Sequence, residues 1–99
     1  MNESNRVPVV LTVAGSDSSA GAGIQADLKS IARMGGYGLN AVTAVVSETP
    51  GVVSMVHLLP VEIAVDQIRV LAEGFPIAAV KTGMLGSESL VKAVVKAVE

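Results

Sequence analysis

Apolar and polar positions alternate between short continuous apolar runs and amphipathic stretches. Residues 7–14 (VPVVLTVA) form a Val-rich run that predicts a strand covered on both faces. Pro8 stands at its start, where a missing N–H is tolerated. Residues 15–23 (GSDSSAGAG) are small and polar and predict a loop. Ile24, Leu28 and Ile31 recur at i, i+4 and i+7, so residues 24–34 read as a helix, ended by Gly35, Gly36 and Gly38. Residues 39–47 (LNAVTAVVS) predict a second strand, and 52–59 (VVSMVHLL) a third β-like run. Residues 60–73 carry the clearest helical pattern. Pro60 suits its first turn, Val61, Ala64, Val65, Ile68, Leu71 and Ala72 form one stripe, and Glu62, Asp66, Arg69 and Glu73 the opposite face. Gly74 and Pro76 mark its end. Residues 77–81 (IAAVK) predict a short buried strand and 82–86 (TGMLG) a turn. Ser87 is a good N-cap for a last helix, with Val91, Val94, Val95 and Val98 as its core face and Lys92, Lys96 and Glu99 outside. That helix reaches Glu99 without a stop signal.

The predicted order is β-α-β-(β)-α-β-α. Strands alternating with amphipathic helices imply an α/β fold with a parallel sheet and helices on its faces. Ligands of such sheets bind beyond the carboxyl ends of the strands. Residues 15–23, 47–51 and 81–86 fall there.

Composition narrows the function classes. The chain has 99 residues, enough for one domain. Seven Lys+Arg against nine Asp+Glu give a net charge of −2, without the clustered cations of a nucleic-acid interface. The absence of cysteine removes disulfides, thiolate metal sites and a Cys nucleophile. His57 is the one histidine, so a multi-His zinc site is excluded, and with no partner carboxylate nearby it reads as structural. The longest uncharged run, residues 34–47, falls short of the ~20 residues of a membrane span. Arg6 before an apolar run outlines a signal peptide, but Glu3, Pro8 and Thr12 break it, and the expected compartment is the cytoplasm. An apolar share of 51% is high for a free-standing domain of this size, because small domains have a large surface to keep polar.

Four positions at the strand ends are candidates for chemistry. The glycines from Gly15 onward let backbone approach a ligand near a helix N-terminus. This is not a Walker A loop, since Ala22 stands where Lys is required. Gly21-x-Gly23-x-x-Ala26 matches a dinucleotide fingerprint, with Glu48 as the ribose-binding acid, although residues 15–20 separate it from its strand. Asp27, one turn into the helix, reads either as a surface acid stabilised by the helix dipole or as a carboxylate aimed at the crevice. Glu48 reads either as a loop acid or as a two-point acceptor for an amino group and a ring N–H of a heterocycle. Met84 is core filling, or an adaptable surface for a flat ring.

The segments VLTVAGSDSSAGAGIQADLKSIARMGGYG, AVTAVVSETPGV and AVKTGMLGS, in this order and spacing, resemble the N-terminal part of bacterial hydroxymethylpyrimidine/phosphomethylpyrimidine kinases of thiamine biosynthesis, in the ribokinase-like superfamily. The resemblance covers residues 9–99. It implies a ribokinase-like three-layer α/β sandwich with a mostly parallel sheet, here incomplete. Residues 1–99 would be the N-terminal part of one kinase domain, truncated on its C-terminal side. It also implies ATP and Mg²⁺ as cofactors, held mainly outside this chain, and an aminopyrimidine as the small-molecule partner. Neither nucleic acid nor membrane is implied, and a homodimer is left open. The substrate pocket maps onto Gly15, through its backbone, Asp27, Glu48 and Met84; the family carries Gln or Glu at Glu48. This sequence departs from the family at Ala20, usually Gly, and at Thr49-Pro50, more commonly Asn-Thr.

The family's Gly-x-Gly-Asp segment, which supplies an anion hole and the base for phosphoryl transfer, occurs nowhere in these 99 residues. No catalytic or metal-binding residue is therefore assigned, and the chain alone is expected to be inactive. Three alternatives stand beside this reading: part of a pyridoxine-type vitamin kinase, a non-catalytic aminopyrimidine-binding module, and a dinucleotide-binding half-domain.

Overall fold

The structure, a computed structural model, describes residues 7–98. Seven elements follow one another: β1 (Val9–Asp17), α1 (Gly23–Arg33), β2 (Tyr37–Thr49), β3 (Val52–Leu58), α2 (Val61–Gly74), β4 (Ile77–Thr82) and α3 (Glu88–Val98). The strand order is β3-β2-β1-β4, with β1 parallel to both neighbours and β3 antiparallel to β2. The sheet is thus mostly parallel, as expected, and the third β-like run is a strand hairpinned onto the second. Arg6, Glu3 and Glu99, which entered the sequence expectations, lie outside the described residues. Among the described residues no helix is long and apolar enough to cross a membrane.

Alternation along β1 explains the layering. Leu11 and Val13 point to one face and join Leu39 and Ala41 of β2, Ala64 and Ile68 of α2, and Leu90 and Val94 of α3 in the main core. Thr12 points to the other face and meets α1 through Asp27. Helices therefore cover both faces, giving three layers. Gln67 ties α2 to the sheet: its amide accepts from Val42 N–H and donates to Val42 C=O, just before pairing of β2 with β3 begins at Ala44.

Several boundaries differ from the sequence expectation, each for a local reason. β1 continues through residues 15–17, expected as loop, because a register shift between Ala14 and Ser16 lets Ser16 and Asp17 pair with Val45 and Val46. β2 begins at Tyr37 and includes Gly38, expected as a helix stop. A Cβ on Gly38 would lie 2.6 Å from Leu28 Cδ2, so this glycine lets α1 pack closely on the strand. Pro60 caps α2 from outside the helix, and Gly74 is its last residue instead of its stop. β4 is not buried: it occupies a sheet edge and Val80 is 41% exposed. On α3, Ser87 does cap, its Oγ accepting from Leu90 N–H at 3.1 Å. The core face turns out to be Leu90, Val94 and Ala97, while Val91, Val95 and Val98 are exposed, because α3 docks chiefly on α2 rather than on the sheet. His57 lies exposed on β3 opposite Val45, away from the core.

Val52, Val53, Met55, Val56 and Leu58 are all at least 46% exposed, so β3 presents apolar side chains on both faces. Such a strand at a sheet edge invites pairing with other chains. The isolated chain is expected to self-associate with rising concentration in sedimentation velocity and to bind a hydrophobic dye. Val53→Lys together with Met55→Lys should reduce both signals. A monodisperse chain with sharp cooperative unfolding and no dye binding would contradict this.

Candidate functional site

The loop after β1 is organised by Asp17, a buried carboxylate only 5% exposed. Its Oδ1 accepts from the N–H and hydroxyl of Ser19 at 2.8 and 2.7 Å, and its Oδ2 from the N–H groups of Gly21 and Ala22 at 3.0 and 2.8 Å. Ala22 is the N-cap of α1 and has no side-chain cap bond, so Asp17 supplies the negative charge at this helix N-terminus. Gln25 fixes the loop from the helix side, accepting from Asp17 N–H at 2.9 Å and donating to Ser16 Oγ at 2.7 Å. The hydroxyl of Ser19, opposed by burial and helped by the backbone N–H groups, holds the Asp17 carboxyl below its usual range.

Two neighbouring positions show why the loop needs small residues. Gly23 has φ +62°, and a Cβ there would lie 2.3 Å from the carbonyl oxygen of Gly15. Ala20 has φ +64°, the one non-glycine residue in the left-handed region among those described. This is the position where a glycine was expected from the family resemblance, and the backbone explains that preference.

Beyond the carboxyl ends of β1 and β2, and beside the end of β4, lies a cavity of about 210 Å³. Gly15, Glu48 and Met84 all line it, together with Asp17, Val46 and Lys81. Gly15 is buried, and a Cβ there would meet only ordinary contacts: Ala44 O and Met84 Cε at 3.7 Å. Packing alone therefore does not demand this glycine, whose bare face opens on the cavity. Glu48 is held by its main chain, since Ser18 Oγ accepts from Glu48 N–H and donates to Glu48 C=O, both at 2.8 Å. A register shift between Ser47 and Glu48 against β3 re-aims the strand at this point. Thr49 stays in the ladder opposite Val52, and the departure at Pro50 is absorbed by a tight turn with Gly51 at φ +84°. The carboxylate of Glu48 accepts no hydrogen bond among the described residues. Met84 is 56% exposed, so it is wall and not core filling, and its carbonyl is anchored by Thr43 Oγ1 at 3.0 Å.

Asp27 stands apart from the other three, since it is not on the cavity wall. It lies beyond the first turn of α1, which contains no acid, so the dipole is not its partner. Its Oδ2 accepts from Thr12 Oγ1 at 2.6 Å and from Lys81 Nζ at 2.8 Å. Burial raises its pKa, but the hydrogen bonds from Lys81 and Thr12 and the charge of Lys81 outweigh this and hold the carboxyl below its usual range. Lys81 and the structural role of Asp17 were not picked out from the sequence. Asp-Ser-Ser ahead of small residues is an Asx-turn signal that points to Asp17. Nothing local marks Lys81, whose partner lies 54 residues away.

The loop also bears on the dinucleotide alternative. The N–H groups of Gly21, the first glycine of that fingerprint, and of the N-cap Ala22 already donate to Asp17 and are not free for a pyrophosphate. The cavity is also below the ~300–1,000 Å³ usual for drug-sized ligands.

An open α/β sheet with helices on both faces and a small cavity at its strand ends defines the class: a ribokinase-like fold. The comparisons with known proteins narrow it. The phosphomethylpyrimidine kinase family model matches residues 17–99, and the chain belongs to that family. It is 48% identical over 87 residues to hydroxymethylpyrimidine/phosphomethylpyrimidine kinase of Streptomyces coelicolor, covering 88% of this chain and 32% of that protein. The crystal structure of phosphomethylpyrimidine kinase from Clostridium difficile superposes with a TM-score of 0.86 at 38% identity, over 94% of this chain and 40% of that one. Pyridoxal kinase from Staphylococcus aureus, in complex with AMP-PCP and pyridoxal, superposes with a TM-score of 0.84 at 40% identity, over 95% and 35%. The chain thus spans about a third of the length of these proteins.

Two predictions follow from the loop. Ala20→Gly should stabilise the fold by about 0.5–1 kcal/mol, because relief of ~1–2 kcal/mol of left-handed strain exceeds glycine's ~0.5–1 kcal/mol entropy cost; Gly23→Ala should instead destabilise it, both read by denaturant midpoint. Asp17 and Asp27 have lowered carboxyl pKa values, so their stabilisation is complete above the unfolded value of about 3.9 and is lost as pH falls through the lower folded values. Asp17→Asn and Asp27→Asn should each flatten the acid limb of stability against pH, measured as chemical denaturation across that range.

Proposed function

We propose that this chain forms the substrate-binding side of a kinase that uses ATP and Mg²⁺ to phosphorylate hydroxymethylpyrimidine and its monophosphate. The single observation that carries this reading is the convergence of Gly15, Glu48 and Met84 on one cavity at the strand ends. In this reading the Glu48 carboxylate accepts from the amino group and a ring N–H of the aminopyrimidine. Gly15 leaves room for the ring beside the strand, and Met84 packs against its face. Asp27 reaches the ligand from behind Lys81, through the carboxylate oxygen not engaged by Thr12 and Lys81.

The described residues do not fit the donor nucleotide or its metal. Among them no group of three or more His, Asp or Glu side chains could hold a cation. The N–H groups of Gly21 and Ala22, just ahead of α1, are occupied by Asp17. The groups that stabilise the transferred phosphoryl therefore belong to other segments of the kinase, and residues 7–98 act by binding, orienting and enclosing the acceptor. Without those segments the chain is a binding unit and not a catalyst.

A second reading has support of its own. The likeness to pyridoxal kinase at 40% identity favours a pyridoxal-type ring as a rival acceptor in the same cavity. Calorimetry with hydroxymethylpyrimidine and with pyridoxal separates the two. The expected result is heat with hydroxymethylpyrimidine that pyridoxal displaces only weakly. Gly15→Ala should keep its unfolding midpoint yet lose most binding, since the added methyl occupies the cavity. Glu48→Ala should weaken binding by about ten- to a hundredfold, the worth of one or two charge-assisted hydrogen bonds. Preferential binding of pyridoxal would transfer the assignment to the second reading, and folded protein that binds neither would end both.

A further inference from the structure

The ion pair behind the cavity has a geometry that a surface salt bridge does not need. Thr12 on β1 and Lys81 on β4 are direct register partners in the parallel ladder. Both reach up from the same sheet face to one atom of α1, Asp27 Oδ2, at 2.6 and 2.8 Å. Oδ1 of the same carboxylate accepts no hydrogen bond among the described residues. Thr12 is fully buried, so its hydroxyl has no water to turn to and Asp27 is its partner. The Asp27 side chain is only 20% exposed, while Lys81 is 51% exposed and lines the cavity.

We infer that Thr12 and Lys81 are positioning residues for the acceptor site, a two-donor clamp that keeps Asp27 ionised and turns Oδ1 outward as a hydrogen-bond acceptor for the ligand. This rests on the kinase reading above and extends it to two residues outside the pocket set. Locking one carboxylate oxygen with two donors leaves the side chain a single acceptor direction, so the ligand meets an acceptor that needs no reorientation. The charge matters as much as the direction. Asp17 from β1 and Glu48 from β2 are the carboxylates on the cavity wall in front of Asp27, and Lys81 from β4 is the one cation among the wall residues. Lys29, on Asp27's own helix, turns to the carbonyl of Ala20 instead. Without Lys81, the partly buried Asp27 would gain a proton more readily, and a protonated carboxyl is a poorer acceptor for an N–H.

The test uses the full-length kinase that contains these residues. In Lys81→Met, KM for hydroxymethylpyrimidine should rise about tenfold with kcat changed far less, as expected for lost ligand orientation. The acid limb of kcat/KM should move to higher pH, a shift that a purely structural role would not produce. Lys81→Arg, which keeps the charge, should restore most of both. Thr12→Val should raise KM in the same direction, and it carries the test if Lys81→Met fails to fold. Asp27→Asn separates the levels of inference. If Asp27→Asn raises KM while folded Lys81→Met and Thr12→Val leave KM and the acid limb unmoved, the clamp is overturned and the site reading stands. If Asp27→Asn itself leaves KM unmoved, Asp27 does not contact the ligand and the clamp falls, while the cavity reading still stands or falls on Gly15 and Glu48.

Discussion

At the end of β1, the carboxylate of Asp17 is taken out of water and repaid with four hydrogen bonds from residues 19, 21 and 22. Burying a charge is costly unless its lone pairs are met, and here the donors are loop groups of Ser19 and Gly21 together with the N-cap N–H of Ala22, which the helix start leaves unpaired. Both deficits are removed by one contact. Its consequences run outward through the site. The loop is drawn in until Gly23 lies against the carbonyl of Gly15, a distance that no side chain would tolerate. Ala20 is forced into the left-handed region to close the turn, with its N–H on Asp17 C=O. Ser18, left pointing across the crevice, grips the main chain of Glu48 on the next strand.

This arrangement decides which carboxylate is free. Two acids, Asp17 and Glu48, line the crevice and Asp27 lies behind Lys81, a concentration of like charge that would be unfavourable if all were equally exposed. Asp17 spends its lone pairs on the loop. Asp27 gives one oxygen to Thr12 and Lys81. Glu48 is fixed by its backbone alone, and its side chain remains open to the cavity. The division follows from the sheet: two register irregularities, one in each ladder of β2, lie beside Ser16 and Glu48, both on the cavity wall. Regular strands would have carried the alternation past the cavity.

The strand–helix alternation was legible because it is written in local periodicity. Residues 11–13, the Ala64/Ile68 stripe and the Ser87 cap all behave as their pattern implies. What was not legible depended on neighbours. The run of residues 77–81 reads as buried from its own apolarity, yet β4 lies at an edge, and exposure at an edge is a property of strand order. The stripe on α3 is rotated by about one position because α3 packs on α2, which periodicity alone does not reveal. Gly15, Glu48 and Met84 share a cavity as expected, since strand ends in a parallel sheet must converge there. Lys81 escaped notice because its meaning arises only when the ladder sets it beside Thr12 under the helix that carries Asp27.

A glycine-rich turn between a strand and a helix is a generic device, and the residue that occupies its N–H groups decides what it serves. In a dinucleotide site those groups must stay free for a phosphate. Here an internal carboxylate takes the N–H groups of Gly21 and Ala22 just ahead of the helix, which makes the turn rigid. The glycines then have a different purpose. Gly23 permits close approach within the protein, whereas Gly15, where a Cβ would fit without clash, keeps the strand surface low beside the cavity. The same residue type thus meets a steric demand of the fold at one position and leaves open space beside the cavity at the other. That distinction is set by what surrounds each Cβ.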